Sequence, residues 1–110
     1  MQQNEQQLRA ILDNTASIIF IKDIQGRYLL VNKQYLNLFK LSESQVIGKT
    51  DYDLFPQALA DTLGANDRKV IEAKTALELD ESFPVEDNYF TYLSIKAPLL
   101  NEDGVVYGIC

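Results

Sequence analysis

The chain has 110 residues, 46% of them hydrophobic, enough for one domain with its own core and too many for wholesale disorder. Sixteen acidic against ten basic residues give a net charge of −6, and no block of Lys or Arg forms a stripe, so nucleic acid and direct membrane contact are not expected. The single cysteine, Cys110, cannot close an internal disulfide, and there is neither a signal peptide nor a long apolar segment, which points to a cytoplasmic setting.

Residues 1–14 predict an amphipathic helix with a narrow apolar side of Leu8, Ile11 and Leu12. Such a stripe suits docking on its own domain or pairing with a second copy, and these three are the expected dimerisation residues. The domain proper is expected over 15–110. Its organising stretch holds two apolar runs, residues 18–21 and 28–31, split by the turn Ile24-Gln25-Gly26-Arg27 behind Asp23. Asp can bond the turn backbone and Gly tolerates positive φ, so a hairpin is expected. Four apolar residues in a row call for cover on both sheet faces, from helices on one and from the first helix or a partner subunit on the other.

Asn32 reads as a helix N-cap, followed by an apolar face of Tyr35, Leu36, Leu38 and Phe39. Ser42 and Gln45 make a capping box. Thr50 and Asp51 open another turn, and Pro56 starts a longer helix toward Lys74, with Leu59, Leu63 and Val70 on one face and Gly64 as a break or kink. From Ala76 the period becomes two: Leu77, Leu79 and Phe83 alternate with Glu78, Asp80 and Ser82. The longest strand, residues 89–97, carries Tyr89, Thr91, Leu93 and Ile95 on one side and Phe90, Tyr92, Ser94 and Lys96 on the other. A turn at 101–104 leads to a final strand, 105–110, expected to be cut short.

This order of elements, with the phrases IIFIKDIQGRYLLVN, VIGKTDYDLFP and YLSIKAPLLNEDGVVYGIC in sequence, resembles the PAS sensory domain of bacterial signalling proteins. The resemblance implies an α+β fold: a five-stranded antiparallel sheet with helices on one face, the N-terminal helix packing on the other, and a pocket between sheet and helices. It also implies an input module in a homodimer that feeds a histidine kinase or a GGDEF diguanylate cyclase domain on the same polypeptide. By the same resemblance Tyr92, Ser94 and Lys96 face the pocket, joined by Phe20 and Lys22 from the first strand and by Val106 and Cys110 from the last.

Tyr35, Phe39, Phe55 and Val70 complete the expected ligand-binding set, although apolar residues at helical spacing serve a core equally well. Lys22 and Lys96 have three readings. Each pairs with a carboxylate such as Asp23 or Glu81, extends to solvent from a strand edge, or points into a closed cavity, where a small carboxylate ligand would supply the counter-charge. No cofactor is identified: the chain has no His for haem, and its VIGKTDYDLFP segment has no Cys for a flavin adduct, so both are disfavoured.

Catalysis is not expected. Asp51 and Asp53 suit a helix start, and Glu78, Asp80 and Glu81 suit the wet side of a strand. There is no phosphate-binding loop and no metal-ligand spacing. Two functions are left open, a sensor with a sealed pocket and a ligand-free dimerisation and relay module with a filled core.

Overall fold

Turn and cap chemistry sets the element boundaries in the computed structural model, which describes residues 2–85 and 87–110. In chain order the elements are α1 (Gln2–Asn14), β1 (Phe20–Asp23), β2 (Tyr28–Val31), α2 (Lys33–Phe39), α3 (Glu43–Val46), α4 (Asp51–Leu54), α5 (Gln57–Ala73), β3 (Leu77–Val85), β4 (Asn88–Lys96), β5 (Pro98–Leu100) and β6 (Val106–Ile109). The β1–β2 turn is closed by Asp23, whose Oδ1 accepts from the backbone N–H of Gln25 and Arg27, both at 2.9 Å. Gly26 there takes φ +84°, a conformation that costs other residues about 1–2 kcal/mol.

Asn32 does more than cap α2. Its Oδ1 accepts from Tyr35 N at 3.2 Å and Ile19 N at 3.0 Å, while Nδ2 donates to the carbonyls of Leu12 and Ser17, both at 2.8 Å. One buried side chain therefore fastens the end of α1, the approach to β1 and the start of α2. The boxes at Ser42/Gln45 and Thr50/Asp53 start α3 and α4. Gly64 does not break α5, which is one helix from Gln57 to Ala73. The helix runs through it because the face of Ala60, Leu63, Asn66, Asp67 and Val70 is buried, which outweighs a cost of about 1 kcal/mol for an interior glycine.

The sheet is antiparallel throughout, but its strand count differs from five. A four-stranded sheet runs β2-β1-β6-β5, and β3 pairs with β4 in a separate two-stranded ribbon. The division falls at Ala97 and Pro98. Ala97 exchanges two hydrogen bonds with Cys110, at 2.8 and 2.9 Å, and β5 continues along β6, whereas β4 pairs only with β3. One extended run thus changes partner where Pro, lacking an N–H, interrupts the ladder. β1 starts at Phe20, with Ile18 and Ile19 half-buried ahead of it.

Helices cover one face, where Tyr28, Val31, Tyr35 and Val46 form a buried cluster with Phe20, Leu36, Phe39 and Leu54 against it. The first helix does not spread its apolar stripe over the opposite face. Leu8 and Ile11 are 55% and 67% exposed, and Leu12 is half-buried. Leu8 and Leu12 share an open groove with Leu29 and Leu30, so α1 reaches only the β2 side. Polar contacts hold it there: Arg9 donates to Val31 O at 3.1 Å and to Glu43 Oε2 at 2.6 Å.

Candidate functional site

Strand alternation sends Phe20 and Lys22 to the helix side, while Asp23 stays at the turn and pairs with Arg27 at 2.9 Å. Asp23 is therefore not the partner of Lys22. The Lys22 ammonium lies 2.5 Å from Asp51 Oδ2 and 3.0 Å from Asp67 Oδ2. Lys96, entering from β4, lies 2.9 Å from Asp67 Oδ1 and 2.5 Å from Glu81 Oε2. Asn66 donates to Glu81 Oε2 at 3.0 Å, and the Tyr28 hydroxyl donates to Asp51 Oδ1 at 2.5 Å. Both lysines are 1% exposed. A continuous buried chain, Tyr28–Asp51–Lys22–Asp67–Lys96–Glu81–Asn66, thus joins β2, α4, β1, α5, β4 and β3.

Burial by itself would lower the Lys22 pKa, but the Asp51 and Asp67 carboxylates outweigh it and hold the ammonium above its ordinary value. Burial pushes the Tyr28 phenol well up, and the Asp51 charge adds to this. Aromatic faces complete the cover: Lys22 Nζ is 4.9 Å from the Tyr28 ring centre and 5.1 Å from that of Phe20, and Lys96 Nζ is 5.7 Å from Phe20.

Above this chain lies a cavity of about 440 Å³ between sheet and helices. Of the residues expected at a ligand site, Phe20, Lys22, Tyr35, Phe39, Tyr92, Ser94 and Lys96 line it. Its aromatic wall steps from Tyr35 to Phe39 (4.8 Å between ring centres), to Phe83 (5.4 Å) and to Tyr92 (6.1 Å). The Tyr35 hydroxyl is buried beside that of Tyr28 and makes no well-formed hydrogen bond among the described residues; burial raises its pKa and the Tyr28 hydroxyl lowers it.

Phe55, Val70 and Val106 are placed elsewhere. Phe55 stacks behind Phe39 at 5.1 Å, and Val70 is fully buried in the core face of α5. Val106 lies opposite Leu100, beyond the register shift between Leu99 and Leu100. Cys110 is not on the inner face either: Ile109 pairs with Lys22 and shares its side, so the next residue, paired with Ala97, points the other way.

Asp51, Asp67, Asn66, Tyr28 and Phe83 were not anticipated at the site; Glu81 was, as a partner for a lysine, and it does pair with Lys96 at 2.5 Å. Glu81 and Asp67 carried a signal in the sequence. Glu81 sits in the apolar phase of β3, two residues from both Leu79 and Phe83, so it cannot belong to the wet side. Asp67 lies four residues after Leu63 and three before Val70, on the apolar face of α5. Asp51 was indistinguishable from a capping residue. Asp53 does take that role, accepting from Thr50 N at 3.0 Å.

The expectation of a carboxylate ligand as counter-ion to the lysines is also corrected. The chain supplies its own counter-charges, three carboxylates to two ammonium groups. Among the described residues no His, Cys, Asp and Glu cluster is arranged to hold a metal ion, and no helix is long and apolar enough to cross a membrane.

A family model described as PAS fold matches residues 12–110. The methanogenesis regulatory histidine kinase FilI of Methanothrix harundinacea is 30% identical over 97% of this chain, which spans 12% of that protein. A diguanylate cyclase of Vibrio cholerae is 31% identical over 90% of the chain, spanning 32% of the relative. The chain is thus similar to a small part of each of these relatives. Among solved structures, the Vibrio cholerae VqmA–ligand–DNA complex superposes with a TM-score of 0.79 at 23% identity, covering 96% of this chain and 47% of that one. This last likeness overturns the expectation that nucleic acid is excluded as a partner. A fold like this one occurs within a protein bound to DNA, so the charge of a 110-residue unit does not exclude DNA for a protein that carries it.

Proposed function

The chain belongs to the PAS family, a sensory rather than catalytic fold found in signalling proteins, and from that premise we propose that it takes a small molecule into the cavity and relays its presence to an output domain on the same polypeptide. The observation that carries this reading is the cavity itself, about 440 Å³, walled by aromatic rings and bordered by the buried Tyr35 hydroxyl, which makes no well-formed hydrogen bond. Small-molecule sites span roughly 300–1,000 Å³ and combine apolar bulk with a few polar anchors.

A route for the signal follows from the ionic chain. Among the described residues the β3–β4 ribbon has no ladder to the four-stranded sheet, and Lys96–Asp67 and Asn66–Glu81 tie it to α5. A ligand favours whichever arrangement it binds more tightly, so one that moves Lys96 or Glu81 shifts ribbon and helix together.

Native mass spectrometry of the purified chain, followed by denaturing release, tests the reading. A stoichiometric small molecule, lost when Ser94→Phe fills the cavity, is the expected result. An empty protein whose melting temperature no member of a metabolite library raises would overturn it in favour of a ligand-free relay.

A further inference from the structure

We propose that the cavity takes an uncharged, planar molecule that presents a hydrogen-bond acceptor to the Tyr35 hydroxyl, with the lysine–carboxylate chain acting as an internally paired floor rather than an ion-binding anchor. This deepens the ligand-binding reading and rests on it. Planarity follows from the walls, where Phe20, Tyr28, Tyr35, Phe39, Phe83 and Tyr92 offer ring faces and edges. Flat rings stack and meet edge-to-face in such a slot with little loss of conformational freedom.

The charge of the ligand follows from what the floor has left to give. Each ammonium is within 3.0 Å of two carboxylates and lies against aromatic rings, so an anion finds no unspent positive charge. It finds instead an excess of carboxylate, and would lose its water without compensation. A cation would have to share Asp51, Asp67 and Glu81 with the two ammonium groups already paired to them, and would meet the Tyr35 O–H as a competing donor. A neutral carbonyl oxygen or ring nitrogen satisfies the Tyr35 hydroxyl without disturbing any ion pair.

Matched probes of one shape and three charges test this: nicotinamide, nicotinate and 3-picolylamine, with benzamide, benzoate and benzylamine as a second set. Binding is followed by ligand-observed NMR on the chain, on Tyr35→Phe, and on Ser94→Phe, or Ser94→Leu should the larger side chain unfold the protein. The expected result is that the carboxamides give the signals that the Ser94 variant abolishes, and that Tyr35→Phe weakens them about fivefold to tenfold. Tyr35→Phe should melt close to the parent, since it removes a hydroxyl that makes no well-formed hydrogen bond.

Carboxylates or amines giving the stronger Ser94-sensitive signals would overturn the proposal and leave the sensor reading standing. So would carboxamides bound equally well by Tyr35→Phe. Should no probe bind, the molecule released in native mass spectrometry decides, a neutral one in favour and a charged one against. No probe and no released molecule would overturn both readings.

Discussion

Replacing Lys96 by Met tests whether the buried ionic chain holds the β3–β4 ribbon to the helices. Met keeps much of the unbranched stem and removes the ammonium. Asp67 then retains Lys22 at 3.0 Å, but Glu81, 3% exposed, is left with only the Asn66 amide at 3.0 Å. Removing one member of a buried pair costs about 3–5 kcal/mol, because the other charge stays behind uncompensated. For a domain whose total stability is of order 5–15 kcal/mol, that is a large share. At roughly 5 °C per kcal/mol the melting temperature should fall by about 15–25 °C.

The second arm is Lys96→Met with Glu81→Leu. Removing the stranded carboxylate should return about 2 kcal/mol or more, since contacting residues couple and apolar replacement of a buried pair is often close to neutral. Urea titrations of the parent, both single variants and the double variant close the cycle. A single-variant loss below about 1 kcal/mol, or a double variant no more stable than Lys96→Met, would show that the pair is not the tie described here.

Two further outcomes follow from the same geometry. Lys22 and Tyr28 hold their protons more tightly folded than at their ordinary values of 10.5 and 10.0, so their contribution is complete below about pH 10 and is lost as pH climbs through the raised folded values; the urea midpoint should stay level up to that point and then drop, and a midpoint that climbs instead contradicts the pairing. At Gly108 an added Cβ would stand 2.6 Å from the Lys22 carbonyl oxygen, a backbone atom that cannot swing away, so Gly108→Ala should cost about 1–3 kcal/mol by pushing β6 from β1. Chemical denaturation measures this, and a neutral substitution would mean that the two strands are not so closely apposed.

Local order was readable because it rests on neighbours along the chain. Asp23 and Gly26 specify the first hairpin, Asn32 the start of α2, and Ser42/Gln45 the start of α3, each through contacts spanning only a few residues. Period-two alternation likewise set apart Tyr92, Ser94 and Lys96 from Leu93 and Ile95, and these five positions differ in burial as that pattern requires. What alternation could not supply was register. Ile109 rather than Cys110 shares the side of Lys22 because β6 is aligned by its pairing with β1, a fact without a local signature.

The sequence by itself determined that Lys96 alternates with Leu93 and Ile95 along its strand, and that a lysine turned inward needs a partner, since an unpaired buried ammonium is too costly to keep. Which partners the two lysines have was decided only by the tertiary structure. Asp51 and Asp67 approach Lys22 from 29 and 45 residues away, and Asp67 also closes on Lys96 from 29. Such distances along the chain erase any pattern a linear reading can detect, because the pairing energy depends on separation in space alone. Packing thereby turned two apparent anion anchors into ammonium groups held by the chain's own carboxylates.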